Sequence, residues 1–364
     1  LRLVGSEMCI RDRFGSGPWF TNPSESWPDF TTRIANIYPT EHPFPISLVQ
    51  FLGWLGDSGP GVFILASGFG LMWAAIHRPG KAESPMQFYK RRLLRIFPLY
   101  IAAHVLILSL AVLVPGTEIT MASPKTFLSL LGLRFTDGLF FYINPSWWFV
   151  WLILQLYLLF PLLCWLQKKV GTRNFLIVTL LFTFASRYAG LEGIKYSGSL
   201  YYWMTGIFFG TRLAEFTVGM VLAVYLKSML AGGRKLTPVA VVFGYSLLLY
   251  VGGLIASFTW PGTVVSNLLV TLGMSGLFYC LWEGIVQKYK WPATWIVWVG
   301  IESYGIYLIH QTPLKWTANV FGGNGLLHLL GAAIVLVASF PVGALLNRLV
   351  GKVSSLATSG VFTN

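Results

Sequence analysis

The stretch "YKRRLLRIFPLYIAAH" (residues 89–104) decides the fold, because it joins a cluster of cations directly to an apolar run. Four of the six residues from 90 to 95 are Lys or Arg, and the apolar run continues to about 114. About 20 apolar residues in a helix cross a hydrocarbon core of about 30 Å. The pattern therefore predicts a membrane-spanning helix over 94–114 with a strongly positive end.

The composition of the whole chain extends this prediction. Of its 364 residues, 55% are hydrophobic and 11% are charged, and the mean hydropathy is +0.65. Soluble globular domains carry about 25% charged residues, so the sequence predicts an all-α, polytopic helical bundle integral to a membrane. Nine apolar runs are long enough to cross it. The predicted spans are 47–76, 94–114, 146–166, 174–191, 204–226, 237–257, 263–283, 292–312 and 326–347.

Lysine and arginine are distributed unequally between alternate loops. The loops at 78–95, 167–173, 227–235, 288–290 and 348–352 contain 16 Lys and Arg, and the intervening loops contain six. Excess Lys and Arg marks the cytoplasmic side, so the first set is expected to be cytoplasmic. The formal charge of +13 is then an orientation signal, and no nucleic-acid partner is expected.

The cations assigned to the intervening loops include Arg134 and Arg187. Arg134 lies in 127–143, which also contains Asp137 and is therefore expected to be an interfacial or extracytoplasmic segment rather than a span. The three cysteines are scattered, with neither a disulfide nor a metal spacing. We therefore expect no metal ion.

The cation cluster in residues 89–104 allows two interpretations. It can serve only to orient the helix in the membrane, as Lys and Arg commonly do, or it can hold a substrate that carries phosphate. At about 100° per residue, Arg91, Arg92 and Arg95 fall within an arc of about 100°, and Lys90 falls outside it. Guanidinium groups on one face suit phosphate oxygens, so the residues alone leave both interpretations open.

Five stretches resemble, in order, the characteristic segments of one family, membrane acyltransferase family 3. The resemblance covers roughly 46–350, and it departs from many members at Gln155, where they carry Glu. The five stretches are "GPGVFILASGF" (59–69), "RRLLRIFPLY" (91–100), "NPSWWFVWLILQLYLLFPLL" (144–163), "RLAEFTVGMVLA" (212–223) and "GIESYGIYLIH" (300–310).

The resemblance implies an enzyme that transfers acyl groups other than aminoacyl groups. It implies O-acylation, usually acetylation, of a sugar hydroxyl on a bacterial surface glycan, with acyl-CoA as co-substrate and no further cofactor. It also implies a multi-pass protein of the bacterial inner membrane, with the lipid bilayer, acyl-CoA and a glycan or other hydroxyl acceptor as partners. Because coenzyme A carries a diphosphate and a 3′-phosphate, Arg91, Arg92 and Arg95 are expected to bind the donor.

Polar and aromatic side chains within the five stretches are the candidates for a substrate cavity. Ser303, Tyr307 and His310 are spaced i, i+4 and i+7, so they share one face of an apolar helix. Such a face lines either a substrate site or a structural hydrogen-bond network between helices. The full candidate set is Ser67, Trp148, Gln155, Tyr157, Glu215, Ser303, Tyr307 and His310.

Other residues are interpreted structurally. Arg212 and Glu215 are spaced i, i+3 and are expected to form an ion pair within one helix, because an unpaired charge in lipid is costly. Trp147 and Trp148 are expected to be interfacial anchors, with stacking on a sugar ring as the alternative. His104, like the other histidines outside the five stretches, has no partner that the sequence identifies.

The ends of the chain differ from the rest. Residues 1–13 resemble translated adapter sequence and are expected to be a non-native leader that packs against nothing. Residues 14–45 are expected to form an extracytoplasmic loop, 46–350 the membrane acyltransferase domain, and 351–364 a cytoplasmic tail.

The resemblance also implies ten spans, of which nine are expected here. Family members begin with a helix that bears an Arg and the His thought to act as the general base. The catalytic base is therefore expected to be absent from the chain as written, and a groove is expected beside the 47–76 and 94–114 helices. Such a chain is expected to bind acyl-CoA without turnover.

A transporter or exporter of polysaccharides or small molecules is the alternative function. Bundles of this size often transport, and aromatic cavities suit sugars. Transporters commonly contain interrupted helices in matching halves, and the sequence shows no such pair.

Overall fold

The computed structural model describes most of the chain, and the described part consists of helices, turns and irregular connections. No strand occurs within it, which confirms the prediction of an all-α fold. The described residues are 48, 59–77, 84–114, 123–194, 202–233, 237–259, 261–321 and 325–359.

Eleven α-helices follow one another in the described residues. They are α1 (Gly59–Ile76), α2 (Pro85–Ala111), α3 (Pro124–Leu130), α4 (Asp137–Phe140), α5 (Trp148–Val170), α6 (Thr172–Ile194), α7 (Leu213–Ala231), α8 (Val239–Ser257), α9 (Thr263–Gly284), α10 (Lys290–Phe321) and α11 (Gly325–Ser359).

The start of α2 is fixed by local chemistry. Ser84 accepts a hydrogen bond from the backbone N–H of Gln87, and the Gln87 side chain accepts one from the N–H of Ser84, both at 3.3 Å. Pro85 occupies the first helical position, where its missing N–H costs nothing. The helix therefore begins before the cation cluster and carries it on a regular helical surface.

Eight of these helices are long and apolar enough to cross a membrane, which confirms a polytopic membrane protein. The predicted span 292–312 lies within α10, which is not one of the eight. The eight helices are α1, α2, α5, α6, α7, α8, α9 and α11.

The remaining boundaries are refined as follows. Segment 127–143 contributes to two short helices, α3 and α4, neither long enough to cross the bilayer. The helix α11 continues to Ser359, beyond the start of the tail predicted at residue 351. The predictions for residues 1–45, and the start of the predicted span 47–76, lie outside the described residues.

The chain divides into two compact units, one containing residues 1–82 and 152–290 and the other 83–151 and 291–364. In the first unit, α1 packs on α7 and α8 packs on α9. In the second, α11 packs on α2, and the Tyr304 hydroxyl of α10 donates to the carbonyl of Ile96 in α2 at 3.2 Å.

Candidate functional site

The second unit brings together residues from three of the family-like stretches, those at 91–100, 144–163 and 300–310. The meeting point is a turn at Pro145–Trp147, which leads into α5 and lies against α10. We call the contacts between this turn and α10 the α10 cluster. Its residues are Asn144, Ser146, Trp147, Tyr307, Leu308 and Gln311.

Two side chains fix the turn to α10 through a single backbone atom. The Asn144 amide and the Trp147 indole N–H both donate to the carbonyl oxygen of Leu308, at 3.0 and 2.9 Å. Trp147 is fully buried. The expectation that it is an interfacial anchor is therefore wrong, because its polar atom is used within the protein and its ring forms part of the core.

A second pair of contacts links Ser146 to α10. The Tyr307 hydroxyl donates to the carbonyl of Ser146, and the Ser146 hydroxyl donates to the side-chain oxygen of Gln311. Tyr307 was predicted as a candidate cavity residue, and its hydroxyl is occupied by this structural bond. Gln311 was missed because it follows the family-like stretch by one residue.

His310 has a defined tautomer and an available nitrogen. Its Nδ1 lies 2.9 Å from the carbonyl of Tyr307 and 3.1 Å from that of Ile306. A carbonyl oxygen only accepts, so Nδ1 carries the proton and Nε2 carries the lone pair. No hydrogen bond to Nε2 occurs among the described residues, and the side chain is half-buried. This arrangement can accept a proton from a hydroxyl.

Arg134 organises a buried network beside the α10 cluster. It is fully buried, and its Nη1 donates to the carbonyls of Leu139, Phe140 and Tyr142 at 2.9–3.2 Å. Its Nη2 donates to the Ser129 hydroxyl at 2.6 Å. Arg134 lies, as predicted, in the irregular connection between α3 and α4, but it is not a solvated loop cation. It lies in the protein interior and ties together a segment without a regular backbone ladder.

The same network supplies the partner of His104 that the sequence did not identify. His104 Nδ1 donates to the carbonyl of Tyr100 at 2.9 Å, and its Nε2 accepts from the Ser129 hydroxyl at 2.9 Å. Its ring lies against Trp147, with centroids 3.9 Å apart. Because His104 and Ser129 are fully buried and already bonded, the pair anchors the segment to α2.

The three arginines predicted to bind the donor differ in their environments. Arg91 and Arg95 are exposed and lie one turn apart on α2. Arg92 is half-buried, with its guanidinium 5.4 Å from the centroid of Phe88. The exposed pair, Arg91 and Arg95, is therefore accessible to an anion, and Arg92 packs partly against its own helix.

In the first unit, Glu215 is fully buried and paired with two arginines. Its carboxylate lies 2.6 Å from Arg187 of α6 and 3.7 Å from Arg212. Arg187 also donates to the carbonyls of Thr211 at 2.7 Å and Val264 at 2.9 Å. The expected pair of Arg212 with Glu215 is thus the longer of the two contacts. Arg187, which was predicted to be a loop cation, is a buried residue of helix α6.

The side chain of Gln155 makes two hydrogen bonds to an irregular backbone segment, residues 207–209, in the same unit. Its amide donates to the carbonyl of Ile207 at 3.0 Å, and its oxygen accepts from the N–H of Phe209 at 3.1 Å. The backbone there leaves regular helix, with Gly206 at φ +154°. Irregular backbone at membrane depth requires such partners, so Gln155 has a structural role.

The other predicted residues are not gathered into one site. Ser67 and Tyr157, in the first unit, are half-buried. In the second unit, Trp148 stacks on Phe140 with centroids 6.1 Å apart, and Ser303 donates to the carbonyl of Gly300 on its own helix at 2.8 Å. No cluster of potential metal ligands occurs in the described part of the chain.

A comparison with protein families identifies the chain. A family model for the acyltransferase domain of acyltransferase family 3 matches residues 38–348. The match covers most of the 364 residues, so the chain belongs to this acyltransferase family. No curated protein and no solved structure matches it.

Proposed function

We propose that this member of the acyltransferase family transfers an acyl group from acyl-CoA to a sugar hydroxyl of a surface glycan. The acyl group proposed is acetyl. The proposal places the protein in the bacterial inner membrane, with the cation-rich end of α2 on the cytoplasmic side. Family membership supports acyl transfer and disfavours the alternative of a transporter. The donor is inferred from the chemistry of α2, and the sugar acceptor is the one that the family resemblance implies.

The observation that carries the proposal is the exposed Arg91 and Arg95 pair. Four residues of helix separate them by about 6 Å along the axis. Each guanidinium can donate two parallel hydrogen bonds to phosphate oxygens. Coenzyme A presents three phosphates at one end of the molecule, which two adjacent guanidiniums can hold. The acyl thioester lies at the other end and remains free to enter the protein.

His310 is the general base that the described residues offer. In the proposed step, the acceptor hydroxyl oxygen forms a bond to the thioester carbonyl carbon, and its proton passes to Nε2 of His310. The carbon–sulfur bond then breaks, and the proton held on Nε2 of His310 passes to the coenzyme A sulfur as it leaves, which restores the neutral histidine. The Tyr307 carbonyl, which accepts from Nδ1–H, holds the ring in the required tautomer and stabilises its charged form.

This assignment differs from the expectation of a base on a preceding helix, and an assay separates the two. The purified chain is incubated with isotopically labelled acetyl-CoA and extracted bacterial polysaccharide, and mass spectrometry detects acetyl esters on the sugar. Label on the polysaccharide together with release of free coenzyme A supports the proposal. Absence of transfer by a chain that still binds acetyl-CoA would contradict the role of His310 as the general base. It would still agree with a donor site at Arg91 and Arg95.

A further inference from the structure

An apolar groove of about 1030 Å³ follows α11 in the second unit. Two tryptophans from the first nine residues of α10, Trp295 and Trp298, form one wall, and Trp295 lies against Phe340 with centroids 5.7 Å apart. The face of α11 forms the other wall. Its lining residues on α11 are Ala333, Ile334, Val337, Ala338, Phe340, Pro341, Ala344, Leu345 and Arg348.

The groove extends along α11. The α11 residues that line it recur every three or four positions, so they form a single helical face. From Ala333 to Arg348 this face is about 22 Å long at 1.5 Å per residue. One leaflet of a bilayer core is about 15 Å thick. The groove therefore fits an extended hydrocarbon chain that lies along the helix.

One end of the groove is cationic. Arg348 is exposed there, and no hydrogen bond or ion pair to its side chain occurs among the described residues. A second cavity of about 530 Å³ adjoins this end and shares Leu345 and Arg348 with the groove. Lys352 also lines the second cavity. The apolar groove is thus continuous with a pocket that contains two cationic residues.

We propose that this site binds an anionic phospholipid, with its phosphate against Arg348 and Lys352 and one acyl chain along the α11 face. Basic pockets beside apolar helix surfaces on the cytoplasmic side select anionic headgroups. The distribution of Lys and Arg predicts that this end of α11 is cytoplasmic, and tryptophans are favoured at headgroup depth. An uncharged partner helix would fill the apolar part but would leave Arg348 without a counter-charge.

The test measures retention of phosphatidylglycerol by the purified full chain with native mass spectrometry, using phosphatidylcholine as the neutral comparison. Arg348→Ala removes one exposed cation, and Arg173→Ala removes another from a different predicted cytoplasmic loop. One cation near an anionic headgroup contributes about fivefold in binding. We expect Arg348→Ala to lower phosphatidylglycerol retention by about fivefold and Arg173→Ala to leave it unchanged.

A second pair of variants tests the groove without altering charge. Ala338→Trp fills the groove, and Ala240→Trp adds the same ring to an exposed position of α8. We expect only Ala338→Trp to displace the lipid. Equal losses within either pair would overturn the proposal. Displacement of phosphatidylglycerol by inorganic phosphate or by coenzyme A would also overturn it, because the site would then recognise a soluble phosphate.

Discussion

The backbone of Phe216 in α7 lies directly against Gly68 in α1. A Cβ atom at Gly68 would meet the Phe216 carbonyl oxygen at 2.0 Å, closer than any real contact. The reciprocal contact involves Gly219, whose added Cβ would lie 2.1 Å from the carbonyl oxygen of Leu65. Small residues allow membrane helices to approach this closely. Two of the family-like stretches are therefore explained by packing.

Gly68→Ala is expected to destabilise the first unit by about 1–3 kcal/mol, because the contacted atoms are backbone and cannot move aside. Thermal unfolding of the purified chain measures this as a lower midpoint. Gly70→Ala, two residues along the same helix, is the matched control, because no atom lies within 4 Å of its added Cβ. Equal midpoints for the two variants would show that α1 and α7 do not pack through Gly68.

Glu215→Gln is expected to destabilise the protein by about 3–5 kcal/mol, since it leaves the buried Arg187 guanidinium without its counter-charge. Thermal unfolding again provides the measurement. Glu283→Gln removes a carboxylate that is only half-buried and serves as the control. If Glu215→Gln unfolds at the same temperature as Glu283→Gln, the pair at 2.6 Å contributes nothing to stability.

Arg134→Lys is expected to lower thermal stability while leaving acyl-CoA affinity unchanged. An ammonium has three donors and cannot reach the three carbonyls and the Ser129 hydroxyl that the guanidinium bonds. Each bond lost to a buried carbonyl costs about 1 kcal/mol or more. A variant with normal stability and weakened donor binding would instead indicate that Arg134 contacts the donor.

His310→Asn is expected to lower kcat by about 10²–10⁴-fold with little change in the KM for the donor. The asparagine amide can still donate to the Tyr307 carbonyl, but it cannot take a proton at neutral pH. His77→Asn, at the exposed end of α1, is the control and is expected to retain full activity. Unchanged kcat in His310→Asn would place the base elsewhere in the chain.

Eight of the nine predicted spans correspond to helices long and apolar enough to cross a membrane, because apolar length is a local property of the sequence. Arg187 was misassigned for the same reason, since a cation between apolar runs is counted as a loop residue until its partners are known. The partners that reveal burial can be distant in the chain: Arg187 bonds Val264, 77 residues away, and the buried Trp147 bonds Leu308, 161 residues away. Sequence spacing therefore suggested that Ser303, Tyr307 and His310 share a face, but it could not show that Ser303 donates to Gly300 on its own helix.

The most direct test of the account is the affinity of the purified chain for acetyl-CoA, measured by isothermal titration calorimetry. The double variant Arg91→Lys/Arg95→Lys keeps the charge of α2 but loses the bidentate geometry. Lys90→Ala, at the same end of the helix and outside the arginine arc, is the control. We predict binding by the unaltered chain and by Lys90→Ala, and affinity lower by about tenfold or more in the double variant. Equal affinity in the double variant, or no acetyl-CoA binding by the unaltered chain, would contradict the assignment of this helix end as the donor site.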